Sequence, residues 1–520
     1  MDALSESLLE PRAYPHRVDT VRLVETHISR VFLAGDFAYK LKKPVSFGFL
    51  DFRSLEARRY FCFEELRLNR RFAPGLYLDV VAIVRGPEGP RVAGEGEVID
   101  FAVRMRRFPE SDLLAERAAA GTVPPGMWTR LGTDLARLHR TLPRAPAGDE
   151  ERDGVPPHFR DALAENFRQC RSYLREREDV SLLNTVEERT WADWRRLERE
   201  FWRRHEAGAV RECHGDLHLG NLLVEGDRVL AFDCVEFNPR FRWIDVASEM
   251  AFLVMDCEAR GVTEGGFLAL NAWLEESGDY GAMTVFDTCR TYRAMVRAKV
   301  ALLAGRPPLE SGSPAQIAFR RYLSLADCFG QPHPRFLAIM CGVSGSGKST
   351  VALALAGKLR AVRVRADVER KRLFGLGADA DTRAPGMPDI YTRDASARTF
   401  DRLEDLAVTV LAAGHPVIVD ATFIRRSLRQ RFQALAARVG VPFIIVQCDA
   451  APEELRRRVS ARLVSGHDAS EADEAVLDSQ LAVCELPEGD EAQWTLLAGA
   501  ADDAALARIA EALRARADSA

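Results

Sequence analysis

A glycine-rich loop between an apolar run and a helical stretch constrains the fold of this chain more than any other feature. The apolar run is Phe336–Cys341, and the loop Gly342–Ser349 that follows fits the pattern Gly-x-x-x-x-Gly-Lys-Ser/Thr. Glycines let backbone N–H groups converge on a phosphate without interference from Cβ atoms, and the N-terminus of the next helix adds partial positive charge. The pattern therefore predicts a phosphate-binding strand–loop–helix unit.

The residue types in this loop predict how a nucleotide is held. Lys348 is expected to reach the β- and γ-phosphates, and the hydroxyl of Ser349 is expected to bind magnesium. The remaining loop residues are expected to hold the phosphates through backbone N–H groups. The predicted MgATP site comprises Gly342, Val343, Ser344, Gly345, Ser346, Gly347, Lys348, Ser349 and Thr350.

Strands and helices alternate along the C-terminal part of the chain. This alternation predicts an α/β P-loop domain with a mainly parallel sheet over residues 335–520. A domain boundary is expected at residues 330–334, because prolines flanked by polar residues continue neither a helix nor a strand there. The predicted strands are residues 336–341, 362–365, 416–419 and 443–447.

Charged residues beyond these strands predict the rest of a transfer site. Asp367 follows the second strand, at the sheet edge where ligands of open α/β sheets bind, and Arg370 lies one helical turn later. Asp420 ends an apolar strand, as expected for a carboxylate that holds magnesium through water. Arg458 and Arg462 share a helix face and are expected to close on the phosphates as a lid. A charged surface helix is the alternative for this arginine pair.

A second phosphate-handling pattern lies upstream, in His214-Gly-Asp-Leu-His-Leu-Gly-Asn221. Asp216 and Asn221 have the spacing of a kinase-type catalytic loop, in which the aspartate orients an attacking hydroxyl and the asparagine binds magnesium. An apolar hairpin then delivers Asp233, a hard oxygen ligand suited to magnesium. Ordinary turn residues, or a metal site on His214 and His218, are the alternatives.

The residues around this motif predict two lobes. Short β-rich runs between residues 21 and 106 predict a small sheet with one helix, Arg53–Arg71, inserted. From residue 111 the pattern is mostly helical. We therefore expect an α+β kinase-like two-lobe domain over residues 1–330, with a small lobe over about 15–108 and a large lobe over about 109–330.

Over roughly residues 15–330 the chain resembles the aminoglycoside-phosphotransferase and choline-kinase-like branch of the protein-kinase fold. The resemblance implies that Asp216 is the catalytic base and that Asn221 and Asp233 bind magnesium. It also implies a downstream aspartate, Asp245, that braces the catalytic loop. Glu236 is either a further acid near the metal or a substrate ligand. The glycine-rich strand loop of kinases is missing.

The same resemblance implies a strand lysine on the nucleotide phosphates and a helix glutamate that pairs with it. Lys40 matches the position of the lysine, but Lys42 lies on the same face of the strand and competes with it. Glu65 is the chosen partner, with Glu64 as the competing residue. Lys40 and Glu65 are therefore the expected ATP-site pair.

Residues 335–500 resemble the small-molecule and polynucleotide-kinase-like branch of P-loop ATPases. That resemblance implies that Asp367 is the base, that Arg370 holds the acceptor and that a lid helix supplies arginine. The two halves together resemble a bacterial fusion of an aminoglycoside-phosphotransferase-like domain with an AAA-type P-loop domain, a description of folds rather than of a substrate.

We expect a bifunctional enzyme that uses ATP and Mg²⁺ to phosphorylate a hydroxyl of a small molecule, such as a sugar, an amino sugar or an aminoglycoside. Three alternatives stay open. The P-loop half is an ATP-driven switch for the first half, the N-terminal half binds without catalysing, or the P-loop half phosphorylates 5′ ends of nucleic acids. The acceptors and the oligomeric state are not fixed by the residues.

Composition and charge narrow the setting of this enzyme. A net charge of −5 gives no support to general nucleic-acid binding. No apolar run approaches the length of a membrane helix, and the first residues lack the pattern of a signal peptide. The ten cysteines contain no Cys-x-x-Cys pair, so neither a disulfide framework nor a zinc knuckle is indicated. We expect a cytoplasmic protein that does not bind membranes.

Overall fold

The computed structural model describes residues 2–47, 50–146, 153–305, 312–384, 386–465, 469–498 and 503–518. These residues form two compact units, and neither unit is continuous in sequence. The first is drawn from Met1–Val123, Thr141–Ala162 and Trp202–Leu253, and the second from Pro124–Arg140, Leu163–Phe201 and Val254–Ala520. A domain boundary at residues 330–334 stays a prediction from the sequence.

The elements of the described chain are as follows. The strands are β1 (Val21–Glu25), β2 (Ser29–Ala34), β3 (Phe37–Lys42), β4 (Ser46–Phe47), β5 (Leu50–Asp51), β6 (Tyr77–Gly86), β7 (Gly89–Val92), β8 (Glu97–Arg106), β9 (Val210–Glu212), β10 (Leu222–Glu225), β11 (Arg228–Ala231), β12 (Trp243–Asp245), β13 (Leu337–Cys341), β14 (Val362–Arg365), β15 (Val417–Asp420), β16 (Phe443–Cys448) and β17 (Thr495–Ala498). The α-helices are α1 (Ala3–Leu8), α2 (Leu55–Phe72), α3 (Leu114–Ala119), α4 (Pro125–Thr141), α5 (Pro156–Tyr173), α6 (Arg177–Glu206), α7 (Val246–Ala259), α8 (Thr263–Ser277), α9 (Met283–Ala304), α10 (Pro314–Phe329), α11 (Lys348–Leu359), α12 (Ala366–Leu373), α13 (Arg393–Ala412), α14 (Arg426–Val439), α15 (Pro452–Ser465), α16 (Glu474–Ala482) and α17 (Asp503–Asp518).

An antiparallel sheet with the strand order β1-β2-β3-β8-β6-β7 forms the core of the first unit. Because side chains alternate along a strand, β3 sends Ala38 to one face and Tyr39 to the other. Ala38 belongs to the apolar cluster that contains Cys62 and Leu66 of α2. Lys40 and Lys42 share the strand face of Ala38, so both lysines are directed toward α2.

Helix α2 begins where the sequence provides a cap. The hydroxyl of Ser54 accepts a hydrogen bond from the N–H of Ala57 at 3.1 Å, which satisfies one of the donors at the helix N-terminus. The buried positions of α2 include Cys62, Glu65 and Asn69, three or four residues apart. Helical spacing thus places the acidic Glu65 on the face that packs against the sheet.

The second unit contains a sheet in which every strand pair is parallel, with the order β14-β15-β13-β16-β17. The central strand β13 leads directly into the glycine-rich loop and α11. Its buried Ala338 and Met340 pack in one cluster with Val351 and Leu355 of α11. An α+β region with its own sheet, followed along the chain by an α/β region with a parallel sheet, is therefore confirmed.

Several elements were missed by the sequence patterns, for identifiable reasons. The sequence pattern predicts a Gly/Pro turn between strands at Tyr77–Val84 and Val98–Arg106, but the structure forms the short strand β7 there, which contains Gly89 and Pro90. Helix α8 is buried on nearly all sides, so its apolar residues show little helical period, and Gly265 and Gly266 lower its helix propensity. In the part of the chain that the structure describes, no helix is long and apolar enough to span a membrane.

Candidate active sites

The loop from His214 to Asn221 follows β9 and leads into β10. Gly215 has a φ of +87°, and a Cβ at this position would lie 2.6 Å from the carbonyl oxygen of Phe241. Glycine is therefore required both for the left-handed backbone and for the close approach of a neighbouring chain segment.

A buried glutamate on α7 fixes the backbone of this loop. The carboxylate of Glu249 accepts hydrogen bonds from the N–H groups of His214 at 2.6 Å and Gly215 at 3.1 Å. Sequence analysis missed Glu249, although an acid inside an apolar helix is a usable signal. Asp245, which the resemblance assigns to this bracing, forms a two-pronged pair with buried Arg204 at 2.7 and 2.8 Å.

His214 supports the loop as a neutral ring. Its Nδ1 accepts a hydrogen bond from the N–H of Asp216 at 3.3 Å, which leaves Nε2 as the donor to the carbonyl oxygen of Phe232 at 2.8 Å. Burial lowers the pKa of His214 to about 4. The ring therefore stays uncharged at neutral pH and does not repel a cation bound nearby.

Asp216 and Asn221 are brought together as their spacing predicts. The side-chain amide of Asn221 donates to the carbonyl oxygen and to Oδ2 of Asp216, at 3.0 Å each. Because the Asn221 nitrogen makes these bonds, its side-chain oxygen is the atom suited to a metal. Nε2 of His218 lies 3.5 Å from Asp216 Oδ2.

Both candidate lysines of β3 contact the same carboxylate. Lys40 Nζ donates to Glu65 Oε1 at 2.7 Å and also to Asp233, and Lys42 bonds to the other oxygen of Glu65 and to Glu236. Lys40 and Lys42 therefore belong to one network of charged side chains. Within the described residues, Lys40 is the lysine of this pair that contacts Asp233.

Glu64, the competing acid on α2, belongs to a different network. Its carboxylate pairs with Arg67 at 2.7 Å and with Arg242 at 2.9 Å. Glu65 is completely buried, whereas the pair of Glu64 and Arg67 is partly exposed. The geometry therefore favours Glu65 as the partner of the strand lysine.

The charged groups of this network shift one another's pKa values. Burial acts to lower the pKa of Lys40, but the carboxylates of Asp233 and Glu65 outweigh it and hold that pKa well above its ordinary value. Burial acts to raise the pKa of Glu65, and the two lysines outweigh it and hold that pKa low. Burial raises the pKa of Glu236, which Lys42 offsets only in part.

Asp233 lies at the exposed side of this cluster and has an unusual backbone conformation. Its φ of +65° is left-handed, which is uncommon for a residue with a side chain. The N–H of Asp233 donates to the hydroxyl of Tyr77 at 3.0 Å, and the carboxylate is 43% exposed. With Asp216 and the side-chain oxygen of Asn221, this carboxylate gives a set of oxygen donors with excess negative charge, which fits a magnesium ion.

We expect Gly215→Ala to damage the first site strongly. The added Cβ must adopt the left-handed backbone and also move the segment that carries Phe241, so Asp216 is displaced. Turnover at this site should fall about 100-fold, and the free energy of unfolding should fall by at least about 2 kcal/mol. Steady-state kinetics and urea unfolding measure the two effects.

Gly226→Ala is the matched control for this change. Gly226 also has a positive φ, +62°, but a Cβ there meets no atom within 4 Å. The control should lose about 1 kcal/mol of stability and keep its turnover. Equal effects of the two changes would contradict the requirement for close approach at Gly215.

The burial of His214 predicts a pH dependence of stability. The pKa of His214 falls from 6.5 in the unfolded chain to about 4 in the folded protein. Its contribution to stability is therefore present at pH values above 6.5 and is lost as the pH falls toward 4. Between about pH 7 and about pH 5 the loss should be about 2 kcal/mol. Urea unfolding of His214→Gln should lack this part of the pH dependence.

The control for this comparison is His27→Gln, because His27 is exposed. It should keep the pH dependence of the unchanged protein. A His214→Gln variant with the same acid sensitivity as the unchanged protein would contradict the assignment of a neutral buried ring.

The glycine-rich loop between β13 and α11 has the expected form. Gly342, Gly345 and Gly347 have φ values of +147°, +81° and +88°. A Cβ at Gly342 would lie 2.3 Å from the carbonyl oxygen of Cys448, and a Cβ at Gly345 would lie 2.8 Å from that of Leu455. Glycine is therefore required at both positions for the positive φ and for the close approach of the segments that carry Cys448 and Leu455.

Polar groups in and beside the loop fit a phosphate and its metal. The side chain of Lys348 is buried and donates to the carbonyl oxygen of Val343 at 2.7 Å. Ser346 Oγ and Asp420 Oδ2 are buried without a hydrogen-bond partner among the described residues. Buried polar atoms of this kind need a partner, so the atoms suit a phosphate oxygen and hydrated magnesium respectively. Ser349 is the second residue of α11, and the neighbouring Thr350 is exposed.

Asp367 lies in the first turn of α12, which follows the edge strand β14, and Arg370 lies in the last turn of this helix. Arg370 donates to the carbonyl oxygen of Ile390 and to the hydroxyl of Ser396, both at 3.2 Å, and its guanidinium lies 5.2 Å from the ring centre of Tyr391. Burial lowers the pKa of Arg370, and Asp367 partly offsets it. The half-buried Arg370 therefore presents a cation near the acid expected to act as base.

Helix α15 brings one arginine to the loop. Arg458 donates to Glu454 at 2.5 Å and its NH1 lies 3.4 Å from the carbonyl oxygen of Gly345. The side chain of Arg462 lies outside the described residues, although α15 includes its backbone. Gln480 on α16, which sequence analysis missed, accepts a hydrogen bond from the N–H of Ser344 at 2.7 Å.

Both halves of the chain match known protein families. The family described as "Phosphotransferase enzyme family" matches residues 59–268, and that described as "AAA domain" matches residues 337–487. An uncharacterized protein of Mycobacterium tuberculosis is 31% identical over 450 residues, which cover 86% of this chain and 87% of the relative. A gluconokinase of Gluconobacter oxydans is 33% identical over 165 residues, which cover 30% of this chain and 79% of that enzyme.

A choline/ethanolamine kinase family protein of Mesorhizobium loti aligns with a TM-score of 0.39 at 12% identity, and the alignment covers 62% of this chain and 94% of that chain.

Proposed function

We propose a function on the basis of the family to which this chain belongs. That family is also represented in Mycobacterium tuberculosis, and in it a phosphotransferase domain is joined to an AAA-type P-loop domain. The chain is thus an enzyme, an ATP-dependent phosphotransferase with two kinase-type domains. The function we propose is bifunctional: each half binds MgATP and transfers the γ-phosphoryl group to a hydroxyl of its own small-molecule acceptor.

In the N-terminal half, Asp216 accepts the proton of the acceptor hydroxyl, and Asn221 orients its carboxylate. Asn221 and Asp233 hold magnesium, which when bound neutralises charge on the phosphates during transfer. Lys40, held by Glu65, provides the fixed positive charge for the nucleotide phosphates. The observation that carries this proposal is the contact of Lys40 with both Glu65 and Asp233, because it joins the nucleotide-holding and metal-holding residues in one cluster.

In the C-terminal half, the loop N–H groups and Lys348 hold the phosphates, and Ser349 and Asp420 hold magnesium. Asp367 takes the proton of the acceptor hydroxyl, and Arg370 holds the acceptor. Arg458 and Arg462 close over the phosphates as the lid helix moves. Support comes from the contact of Arg458 with the loop and from the buried Asp420 Oδ2, which has no hydrogen-bond partner among the described residues.

The proposed acceptor of the N-terminal half is a sugar, an amino sugar or an aminoglycoside. The carboxylates of Asp216 and Asp233 are 36% and 43% exposed there, whereas Glu236 is buried against Lys42. A cationic amino sugar suits such a negative surrounding because opposite charges attract at short range.

The proposed acceptor of the C-terminal half is a polyhydroxy acid such as gluconate. The 165-residue likeness to a gluconokinase is about the length of the P-loop half, and it covers 79% of that enzyme. Arg370, half-buried beside Tyr391, is a fitting partner for the carboxylate of such an acid. A nucleic-acid 5′ end is the alternative acceptor, and the chain's net negative charge disfavours it.

An ADP-release screen over sugars, amino sugars, aminoglycosides, gluconate, nucleosides and 5′-hydroxyl oligonucleotides tests the proposal. Asp216→Asn and Lys348→Ala are run in parallel. An acceptor of the first half should lose its signal only in Asp216→Asn, and an acceptor of the second only in Lys348→Ala.

The other outcomes identify the alternatives. Loss of first-half turnover in Lys348→Ala, with no acceptor found for the second half, would mean that the P-loop half is an ATP-driven switch. ATP turnover unchanged in Asp216→Asn would mean that the N-terminal half binds without catalysing. The need for ATP as co-substrate supports the cytoplasm as the place of action.

A further inference from the structure

Arg363 on the edge strand β14 lies where three elements of the second unit meet. Its side chain is buried, with 7% exposed. A guanidinium at such depth needs several partners, because burying a charge without them is costly. Its partners lie on α8, on α11 and at the end of β15, and they explain why the sequence can place a buried arginine in this strand.

Helix α8 covers the open edge of the parallel sheet at this point. Asn271 accepts a hydrogen bond from the N–H of Arg363 at 2.6 Å and donates to the carbonyl oxygen of Ala361 at 2.9 Å. These two bonds replace those of a neighbouring strand, so α8 completes the sheet edge. Asn271 is 1% exposed, and the hydroxyl of Tyr280 lies 3.5 Å from the carbonyl oxygen of Arg363.

The Arg363 side chain connects this edge to the magnesium residues of the P-loop site. Its NH1 donates to the carbonyl oxygen of Ser349 at 3.2 Å and lies 3.6 Å from Asp420 Oδ2. The same Oδ2 is buried and lacks a hydrogen-bond partner among the described residues. One guanidinium group thus lies against both residues proposed to hold magnesium.

Glu275 on α8 holds the other end of the guanidinium. Its carboxylate accepts a hydrogen bond from Arg363 and one from Arg365, the latter at 3.4 Å. Burial acts to raise the pKa of Glu275, but the two arginines outweigh it and hold that pKa below its usual range. The carboxylate is therefore ionised and fixes the direction of Arg363.

We propose that Arg363 is a positioning residue for the P-loop magnesium site and that Glu275 of α8 sets its orientation. Helix α8 then completes the P-loop site. This helix precedes the boundary expected at residues 330–334, and it overlaps the end of the segment that matches the phosphotransferase family. Residues next to metal ligands tune metal affinity through such contacts. The inference rests on the proposed function of Ser349 and Asp420.

The test uses the full chain with Asp233→Asn, which removes a magnesium residue of the other half. Calorimetry measures the binding of a non-hydrolysable ATP analogue at the P-loop, with and without magnesium. In Glu275→Gln and Arg363→Lys the magnesium concentration for half-maximal binding should rise roughly 10-fold. The affinity for the analogue without magnesium should not change, since the cradle itself is intact.

Glu264→Gln is the matched control on the same helix. Glu264 forms a partly exposed pair with Lys358 at 3.5 Å, and its replacement should leave the magnesium dependence as it was. Melting temperatures of all variants report whether they fold, and Glu275→Gln keeps the shape of the side chain it replaces.

An unchanged magnesium dependence in folded Glu275→Gln and Arg363→Lys would overturn the inference. An equal loss of affinity with and without magnesium would also overturn it, because that is the result of a merely structural role. The Asp233→Asn protein could still bind the analogue after Lys348→Ala is added, or it could fail to bind the analogue at all. Either result would instead contradict the proposed P-loop site on which the inference rests.

Discussion

Asp216→Asn is expected to reduce phosphoryl transfer in the N-terminal half by about 100- to 10,000-fold, the usual range for the loss of a general base. Asparagine has nearly the shape of aspartate and can keep a hydrogen bond with Asn221, but it cannot take the proton of an acceptor hydroxyl. The loss should fall on kcat more than on the KM for ATP, because Lys40 and Asp233 are unchanged. Initial rates with the acceptor found for this half measure it.

Asp227→Asn is the matched control, since Asp227 is an exposed residue in the turn between β10 and β11. It should keep full activity, and the turnover of the P-loop half should be the same in both variants. Full N-terminal activity in Asp216→Asn would contradict the role of this residue as base.

Lys348→Ala is expected to reduce turnover in the P-loop half by at least about 100-fold, because a preorganised charge for the phosphates is removed. Lys348 is buried against the loop and bonded to the carbonyl oxygen of Val343, so its charge lies inside the cradle. Nucleotide affinity at this site should fall as well. Acceptor-dependent ADP release and calorimetry measure the two effects.

The control here is Lys358→Ala, on the same helix, whose lysine pairs with Glu264 at 3.5 Å near the surface. It should behave like the unchanged enzyme at both sites. Normal P-loop turnover in Lys348→Ala would show that the glycine-rich loop is not a site of transfer.

Local patterns made much of the P-loop site predictable from sequence. Its glycines, Lys348 and Ser349 lie within Gly342–Ser349, so strand, loop and helix follow from one short segment. Asp216 and Asn221 were predictable for the same reason, and the structure joins them through two hydrogen bonds. Their chemical roles stay predictions that the variants above test.

Contacts between distant segments were harder to predict. A two-residue strand period puts Lys40 and Lys42 on one face, so sequence could not choose between them. The structure shows that Glu65 contacts both. Glu249 was missed because its hydrogen bonds go to backbone groups some 35 residues away in the chain.

Helix α8 shows the same limit at the level of whole elements. Its sequence has little amphipathic period because it is buried on nearly all sides, and the partner of its Asn271 is an edge strand about 90 residues later. Spacing within a segment carries no information about such a partner. The contacts of Glu275 with Arg363 and Arg365 could therefore come only from the three-dimensional structure.

The most direct measurement of the central claim is the number of nucleotides that one chain binds. Calorimetry with a non-hydrolysable ATP analogue and magnesium should give two binding events per molecule. Lys348→Ala should abolish one of them, and Asp233→Asn should weaken the other. A single nucleotide per chain in the unchanged enzyme, or none, would contradict an enzyme with two phosphotransferase sites.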